Sequence, residues 1–257
     1  MRYVKDFLYI IGLPAVLLIG WVVWSAQSTS FFVPTWEQMT NAFANTWTWT
    51  RMTTDVFPSV GRLIAGIIVS IILGIVVGLL VGSFRWLRQL TEPTMEFFRA
   101  VPPVVLIPVF MLLIGIGDDM KIAVIVLGAV WPILLNTVEG VRCMDEVLSD
   151  TSHTYRIAGV ARIRYLILPS AMPQIMAGIR QSLSIALILM VISEMFASSA
   201  GLGYTIIQFQ RSFAIPEMWS GIVVLGLIGV IMSFIFQIVE RRVLAWYHGQ
   251  REMENAG

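Results

Sequence analysis

Few residues of this chain could do chemistry, and they lie mostly outside its apolar runs. A phosphate-cradling loop needs Gly-x-x-x-x-Gly-Lys followed by Ser or Thr, and neither lysine, Lys5 or Lys121, stands in such a motif. The two histidines, His153 and His248, lie in polar segments, and no His-Glu-x-x-His sequence is present. The single Cys143 supplies neither a metal cluster nor an internal disulfide. These residues predict no ATPase, no intramembrane hydrolase and no metal site.

Glu194 is an acidic residue set deep in an apolar run, residues 186–197. A carboxylate within a membrane is costly and by default marks a functional position or a buried pair. Two roles stay open: gating or structural hydrogen bonding, and lining a solute path, where an ionised carboxylate would repel an anion. We call the following six residues the pathway candidates: Glu194, Ser193, Ser184, Ser182, Met111 and Asn136. For the serines, hydrogen bonding between helices is the alternative role, and for Met111 it is packing.

The elements that must position these residues are membrane helices. Hydrophobic residues make up 57% of the 257 residues and charged residues 13%, whereas about 25% is usual in soluble domains. Apolar runs of about 20 residues are long enough to cross a bilayer as helices. The chain is therefore predicted to be an all-α membrane protein with six transmembrane helices. The third enters the membrane through Phe97–Pro103, and the other five are predicted at Phe7–Trp24, Val60–Val81, Ile122–Val138, Ile175–Ala197 and Trp219–Val239.

Basic residues predict the orientation of these spans. Eleven Lys and Arg residues fall in segments predicted to lie inside, against three outside, namely Arg51, Lys121 and Arg211. This asymmetry predicts that both termini are cytoplasmic. Residues 1–57 are expected to hold the first span and an outer interfacial segment, in which a short helix starts near Trp36. Residues 58–242 are expected to form the core, with a central loop at 141–166, and residues 243–257 a cytoplasmic tail.

Glycine and proline predict local features of the spans. Glycines recur every four residues in the second span and favour close approach of another helix, at Gly74, Gly78 and Gly82. Prolines in the third span should bend it, because each removes an internal hydrogen bond, at Pro102, Pro103 and Pro108. Other prolines are expected in the first turns of spans two, three and five, where a missing N–H is tolerated, at Pro58, Pro93 and Pro173.

The central loop, 141–166, carries four arginines and alternates apolar with polar residues at helical spacing. Most connecting loops are shorter and need no such pattern. The loop is therefore predicted to be a cytoplasmic docking surface.

From Pro34 to Arg242 the chain resembles the permease subunit of a bacterial ATP-binding-cassette (ABC) importer, in the branch that serves nitrate, sulfonates, taurine, bicarbonate and thiamine-precursor pyrimidines. Four blocks in the right order carry the resemblance: Phe98–Pro103, Gly115–Asp118, Pro132–Thr137 and Ser193–Tyr204. It implies a type I ABC importer permease fold with a cytoplasmic coupling helix, in the bacterial inner membrane. The implied partners are a second copy, two ATPase subunits that bind ATP and Mg, a soluble substrate-binding protein and the lipid bilayer. No cofactor in this chain is implied, and the net charge of +1 gives no argument for nucleic acid.

The central loop is similar to the family's signature, which runs Glu-Ala-Ala, three residues, Gly, nine residues, Ile-x-Leu-Pro. Counting back from Pro169 places Leu166 at the Ile position and Arg156 at the Gly position. The resemblance implies ATPase docking through a coupling helix at Asp150, Thr151, Ser152, His153, Thr154, Tyr155, Arg156, Ile157 and Gly159. Asp150 is expected to be its N-cap. Because a non-glycine residue resists positive φ, Gly159 is an alternative site for the turn.

The substrate implied by the resemblance is a small anion such as a sulfonate or nitrate. A neutral or zwitterionic heterocycle, such as a pyrimidine vitamin precursor, is the alternative, because no ring of basic residues is seen within the spans. Six spans also fit a channel or a secondary transporter. The ordered signature blocks favour the importer.

Overall fold

The computed structural model describes residues 2–196, 198–247 and 249, with the backbone alone for residues 2–11. Every regular element within this part of the chain is a helix, as predicted. In chain order the helices are α1 (Arg2–Gln27), α2 (Trp36–Thr46), α3 (Trp49–Arg51), α4 (Phe57–Ser83), α5 (Arg85–Ala100), α6 (Ile107–Ile114), α7 (Asp118–Arg142), α8 (Glu146–Thr154), α9 (Gly159–Arg162), α10 (Leu168–Phe196), α11 (Leu202–Arg211) and α12 (Ile215–Val243). Most of the predicted tail, including His248, lies outside the described residues, as does Ala197 at the end of the predicted fifth span.

Four continuous helical stretches are long and apolar enough to cross a membrane: Trp49–Ser83, Asp118–Arg142, Gly159–Phe196 and Ile215–Val243. A fifth is counted if α5 and the helical stretch Pro103–Ile114 together form one bent span. The apolar part of α1 within the searched residues, Gly12–Gln27, is shorter than these spans. The helical, multi-span architecture is thus confirmed, while the number six stays a prediction.

Helices α4, α7 and α10 form the packed centre of the bundle. The predicted glycine face of α4 lies directly against α7: a Cβ added to Gly74 would come within 2.8 Å of Ile133, and one added to Gly78 within 2.6 Å of Thr137. Glycine leaves room there for two helix backbones to approach closely. On the other side of α7, a Cβ added to Gly140 would come within 3.0 Å of the backbone of Ala171 in α10. The prediction of close helix packing is confirmed.

The third span is bent, as its prolines predict. Between α5 and the stretch Pro103–Ile114 the axis turns by 81°. The start of this segment was wrongly predicted, since α5 begins at Arg85 and Pro93 lies inside it. No residue of α5 is buried, and its exposed side chains include Trp86 and Phe97. The 81° bend thus sets the axis of α5 at a steep angle to the stretch that contains α6.

Spans two and five begin earlier than predicted. Pro58 lies in the first turn of α4, as predicted, but a π-helical turn, Met52–Val56, continues the helix back beyond it. Pro173 lies inside α10, which is likewise preceded by a π-helical turn, Ile163–Ile167. Each π turn ends two residues before a proline, Pro58 in one case and Pro169 in the other. The wider turn is closed by an i→i+5 bond, from Phe57 N–H to the Met52 carbonyl or from Leu168 N–H to the Ile163 carbonyl. This geometry carries the helix into a proline that would otherwise end it.

The predicted short helix near Trp36 is α2. Its start is a capping box, in which Gln38 N–H donates to Thr35 Oγ1 at 3.3 Å and Thr35 N–H donates to Gln38 Oε1 at 3.0 Å. Beyond its end, the buried Trp47 indole N–H donates to Ser220 Oγ of α12 at 3.0 Å. The segment between α1 and α4 is thereby fixed to the first turns of α12.

Candidate functional site

The Glu194 carboxylate is fully buried near the C-terminal end of α10 and is held by three groups. Arg62 Nη1 of α4 donates to its Oε1 at 2.6 Å, and the two bear opposite charges. The Ser59 hydroxyl lies one helical turn earlier in α4, 2.7 and 2.9 Å from the two carboxylate oxygens. The backbone N–H of Gly203 donates to Oε2 at 2.9 Å. A buried carboxylate with a counter-charge and several donors is the arrangement that offsets its desolvation.

Arg62 extends this contact towards the surface. Its Nε donates to Asp118 Oδ1, at the first residue of α7, at 2.7 Å. Asp118 also pairs with Lys121 at 3.4 Å, and the Lys121 ammonium donates to Ser198 Oγ at 2.9 Å. We call Ser59, Arg62, Asp118, Lys121 and Glu194 the outer charge cluster, because this end of the bundle is predicted to face outside. Two positive groups and two carboxylates in contact leave it close to neutral.

Three successive backbone N–H groups bind the segment after α10, one to the neighbouring Asp55 and two to members of this cluster. Gly201 N–H donates to Asp55 Oδ1 at 3.1 Å, Leu202 N–H to Ser59 Oγ at 2.9 Å, and Gly203 N–H to Glu194. These groups begin α11, and such a helix start favours an anion. Here the anionic position is taken by the protein's own carboxylates, those of Asp55 and Glu194. Gly201 has φ +121°, and a Cβ there would lie 2.7 Å from the Glu194 carboxyl group.

Arg62 was not among the predicted site residues, although its position in the sequence is a signal. It stands within an apolar helix, where an ionisable residue is by default a candidate functional residue with a partner to be found. Glu194, flagged on the same ground, is that partner. The chemistry of the pair is that of a cross-link between helices, because the carboxylate is enclosed by donors of α4 and α11.

Three other pathway candidates are bonded to backbone carbonyls. Ser182 Oγ of α10 donates to the Ala129 carbonyl of α7 at 2.6 Å, which is a bond between helices. Ser193 Oγ donates to the carbonyl of Met190 at 2.9 Å and Asn136 Nδ2 to that of Pro132 at 2.8 Å, each within its own helix. Ser182 and Ser193 are buried, and Asn136 is half-buried.

Ser184 lies on the opposite face of α10 and is exposed. It lines a cavity of about 540 Å³ between α10 and α12, whose polar lining comes from Arg180, Ser184, Ser233 and Gln237. Arg180 also forms an ion pair with Glu240 of α12. The last pathway candidate, Met111 of α6, is half-buried against the central apolar core. The six candidates therefore do not converge on one cavity within this chain.

The central loop contains the predicted short helix, α8, at the other end of the bundle. Its N-cap is Asp145, whose Oδ1 accepts from Leu148 N–H at 3.1 Å. The expectation that Asp150 is the N-cap was wrong, because Asp150 lies inside the helix, one turn and more beyond the capping residue. Eight of the nine predicted docking residues are exposed, and the exception is Ser152.

The α8 helix ends at Thr154, and the chain turns two residues later at Arg156, the family's glycine position, which has φ +54°. Arg156 N–H donates to the His153 carbonyl at 3.0 Å and Ile157 N–H to the Ser152 carbonyl at 2.8 Å, the paired bonds of a Schellman ending. A left-handed conformation costs a non-glycine residue about 1–2 kcal/mol. Gly159 follows with φ +60°, so both expected turn positions adopt positive φ.

The surface around α8 is apolar as well as exposed. The exposed side chains include Val147 and Tyr155, at 72% and 76%, and Val160 of α9 at 79%. Arg162 Nη2 donates to Ser149 Oγ at 3.0 Å and thereby joins α9 to α8. Both short helices lie in the chain between α7 and α10, the central spans. We call Val147, Tyr155 and Val160 the α8 surface.

Long apolar helices, a charge cluster at one end and an exposed helical surface at the other define a polytopic membrane protein. Residues 70–245 match the family model of the binding-protein-dependent transport system inner membrane component. The chain belongs to this family, and it is the permease subunit of an ABC importer. It is a transport subunit and not an enzyme.

Relatives and solved structures agree with this family. The chain is 31% identical over 192 residues to a probable ABC transporter permease of Brucella melitensis, covering 75% of this chain and 78% of the relative. It is 32% identical over 155 residues to the putative aliphatic sulfonates transport permease SsuC of Bacillus subtilis, covering 60% and 56%. To the riboflavin transport system permease RibX of Chloroflexus aurantiacus it is 31% identical over 244 residues, covering 92% and 90%.

The fold is similar to that of a chain in the inward-facing MetNI methionine ABC transporter. The TM-score is 0.64 at 19% sequence identity, and the match covers 74% of this chain and 94% of that one.

Proposed function

We propose that two copies of this chain, each with six spans and cytoplasmic termini, form the translocation pathway of an ATP-driven importer. Two ATPase subunits, which bind ATP and Mg, dock on α8 from the cytoplasm, and a soluble binding protein delivers solute outside. The observation that carries the docking proposal is the α8 surface, where apolar side chains are exposed on a capped helix. Burial of such side chains in a groove of a partner is the usual mode of helix recognition.

Movement of α8 would reach the spans directly, because α7 precedes it and the α9–α10 stretch follows it. Closure of the ATPase dimer shifts α8, and the packed unit of α4, α7 and α10 moves with it. The outer charge cluster keeps the far ends of the same three helices together. Each ligand biases the inward- and outward-open states only by its difference in affinity for them. On this proposal residues 58–242 are the moving core and 1–57 a peripheral segment.

We assign different roles to the six pathway candidates. Ser184 is proposed to line the solute path, because it is exposed on a cavity, and Met111 and Asn136 are proposed to do so at its edges. Glu194, Ser193 and Ser182 are proposed to hold the helices around the path in place without contacting the solute. Burial of their polar atoms in bonds to α4, α7 and the α10 backbone supports this division.

The proposed substrate is a sulfonate or a similar small anion, which the sulfonate permease relative supports. A heterocycle is the second candidate, because the riboflavin permease relative matches over 92% of this chain. The charge on Arg62 does not favour an anion, since Glu194 and Asp118 neutralise it. Isolating the binding protein that copurifies with the complex, and titrating it with sulfonates and with flavins or pyrimidines, distinguishes the two.

The docking proposal is tested with Tyr155→Glu. A charge in the α8 surface should prevent its burial, so we expect loss of ATPase from the copurified complex and at least tenfold slower uptake into vesicles. Tyr165→Glu is the matched control, because Tyr165 is similarly exposed, at 71%, but lies in the π-helical turn Ile163–Ile167 and is not part of the α8 surface. Unchanged uptake by Tyr155→Glu would remove α8 as the docking element. A chain that purifies without any ATPase would overturn the importer assembly itself.

A further inference from the structure

Each end of the bundle carries a non-glycine residue in the left-handed region of backbone space. Arg156, after α8, has φ +54°, and Phe213, after α11, has φ +58°. These two are the non-glycine residues with positive φ among those the structure describes. For a bulky side chain such a conformation is a true outlier, and strained residues concentrate at functional contacts. Arg156 already belongs to the proposed docking helix, whereas Phe213 has no role so far.

The turn at Phe213 does not require an aromatic residue. Phe213 N–H donates to the Gln210 carbonyl at 3.2 Å and Ala214 N–H to the Phe209 carbonyl at 2.9 Å, which again is a Schellman ending. Glycine or asparagine fits this position with less strain. The phenyl ring is not needed for packing within the chain either, because 65% of its surface is exposed. Both observations leave the ring available for a contact outside this chain.

The neighbours of Phe213 are those of an aqueous surface. Gln210, Arg211 and Ser212 precede it, and all three are exposed. Arg211 forms no ion pair within the described part of the chain. The Arg51 guanidinium, which is paired with Asp55 at 3.2 Å, stands over the Phe209 ring of α11 at 5.6 Å. An exposed ring beside an uncompensated guanidinium fits a protein partner better than the hydrocarbon of a bilayer.

We propose that Phe213 and Arg211 anchor the soluble binding protein to this subunit. Phe213 enters an apolar pocket of that protein, and Arg211 faces a carboxylate on its rim. Aromatic and arginine side chains are the residues that most often dominate such interfaces. The inference rests on the proposed function, in which a binding protein docks at this end, and the family is a binding-protein-dependent one.

Docking at this position has a direct route to the spans. Phe213 lies two residues beyond Arg211, the last residue of α11. The first turn of α11 is bonded to the outer charge cluster through Leu202 and Gly203. A force on Phe213 therefore reaches Glu194 of α10 and Ser59 of α4 through one short helix. Docking at Phe213 would thus be transmitted to α4 and α10.

Photo-crosslinking identifies what covers the ring. With p-benzoylphenylalanine in place of Phe213, illumination of the assembled complex with its binding protein should give an adduct with the binding protein. The same substitution at Phe97 is the matched control, because Phe97 is also 65% exposed but lies in α5, at the other side of the bundle. An adduct of position 213 with lipid or with the second copy, or the absence of a binding-protein adduct, would overturn the proposal.

Titrating the complex with its binding protein then measures what the Phe213 side chain contributes to docking. In Phe213→Gly and Phe213→Asn the strain is relieved, so the fold is retained, but the concentration of binding protein that half-maximally stimulates ATP hydrolysis should rise about tenfold. Phe213→Tyr, which keeps an aromatic ring, should have the half-maximal concentration of the wild type. Ser212→Gly, which loosens the same turn and keeps the ring, should leave it unchanged. A normal half-maximal concentration in Phe213→Gly overturns this inference alone. A wild-type complex that its binding protein does not stimulate overturns the proposed function.

Discussion

At the scale of single residues, Arg62 and Glu194 form the interaction with the largest consequences. The Glu194 side chain is fully buried and that of Arg62 is 9% exposed, so water screens their 2.6 Å contact very little. The attraction is offset by the desolvation of both charges, and the net stabilisation of such a pair is small. Loss of one partner is different, because the remaining charge is left buried without compensation.

We therefore predict that Glu194→Ala or Arg62→Ala lowers the free energy of unfolding by about 3–5 kcal/mol. Thermal unfolding of the purified complex measures this change. Glu96→Ala is the control, since the Glu96–Arg99 ion pair is about half exposed and such pairs contribute about 0–1 kcal/mol. In the matched set Arg62→Met, Glu194→Met and the double variant of both, the double variant should lose less than the two single losses added together. Strictly additive losses would mean that the two charges do not act as a pair.

The sequence made Glu194 conspicuous but left its role open. Its partners Ser59, Arg62 and Gly203 lie 135, 132 and 9 residues away, and only the fold brings them together. Asp145 and Asp150 illustrate a second difficulty. Both are aspartates suited to a helix start, and the family's spacing pointed to Asp150, whereas the hydrogen bond to Leu148 N–H selects Asp145.

At the scale of elements, apolar runs predicted the spans well but their starts poorly. The bend in the third span and the glycine face of α4 follow from residue types that act locally, and both are confirmed. The starts of α4 and α10 depend on π-helical turns, which the period of the apolar pattern does not reveal. Pro93 and Pro173, predicted as helix starts, are interior residues of α5 and α10, whereas Pro58 does lie in the first turn of α4.

Two glycines of α4 should respond in opposite ways to the same substitution. Gly78→Ala would place a Cβ 2.6 Å from Thr137 Cβ and 2.9 Å from the Leu134 carbonyl oxygen, so we expect a loss of about 1–3 kcal/mol. Gly61→Ala meets nothing within 4 Å and should gain up to about 1 kcal/mol from helix propensity. Thermal unfolding of the two variants in one detergent compares them. Equal shifts in one direction would show that α4 and α7 are not in close contact there.

At the scale of the whole molecule, the orientation in the membrane follows from where α8 lies. If α8 meets an ATPase, Cys143, which lies between α7 and α8, is cytoplasmic. The thiol is exposed and donates to Glu139 Oε1 at 3.3 Å. This hydrogen bond to a carboxylate raises the pKa of the Cys143 thiol above its ordinary value. Less thiolate is then present at neutral pH, so the residue reacts slowly.

We predict that a membrane-impermeant maleimide labels Cys143 in inside-out vesicles and not in right-side-out ones. Glu139→Gln removes the negative acceptor and lowers the pKa of the thiol, so the pH at which labelling becomes fast should move down. The rate near neutral pH should then rise severalfold, while Glu96→Gln should leave it unchanged. Labelling in right-side-out vesicles would reverse the assigned orientation, and an unchanged rate in Glu139→Gln would disprove the effect of Glu139.

The outer charge cluster also imposes an order on biogenesis. Arg62 is made 132 residues before Glu194, so at about 5–20 residues per second it waits roughly 7–26 s for that partner during translation. Asp118 emerges 56 residues after Arg62 and is the earlier counter-charge. The three N–H groups that complete the enclosure come last of all. Until Asp118 is made, Arg62 therefore has neither of its two counter-charges, and the cluster is complete only after the segment that follows α10 has been synthesised.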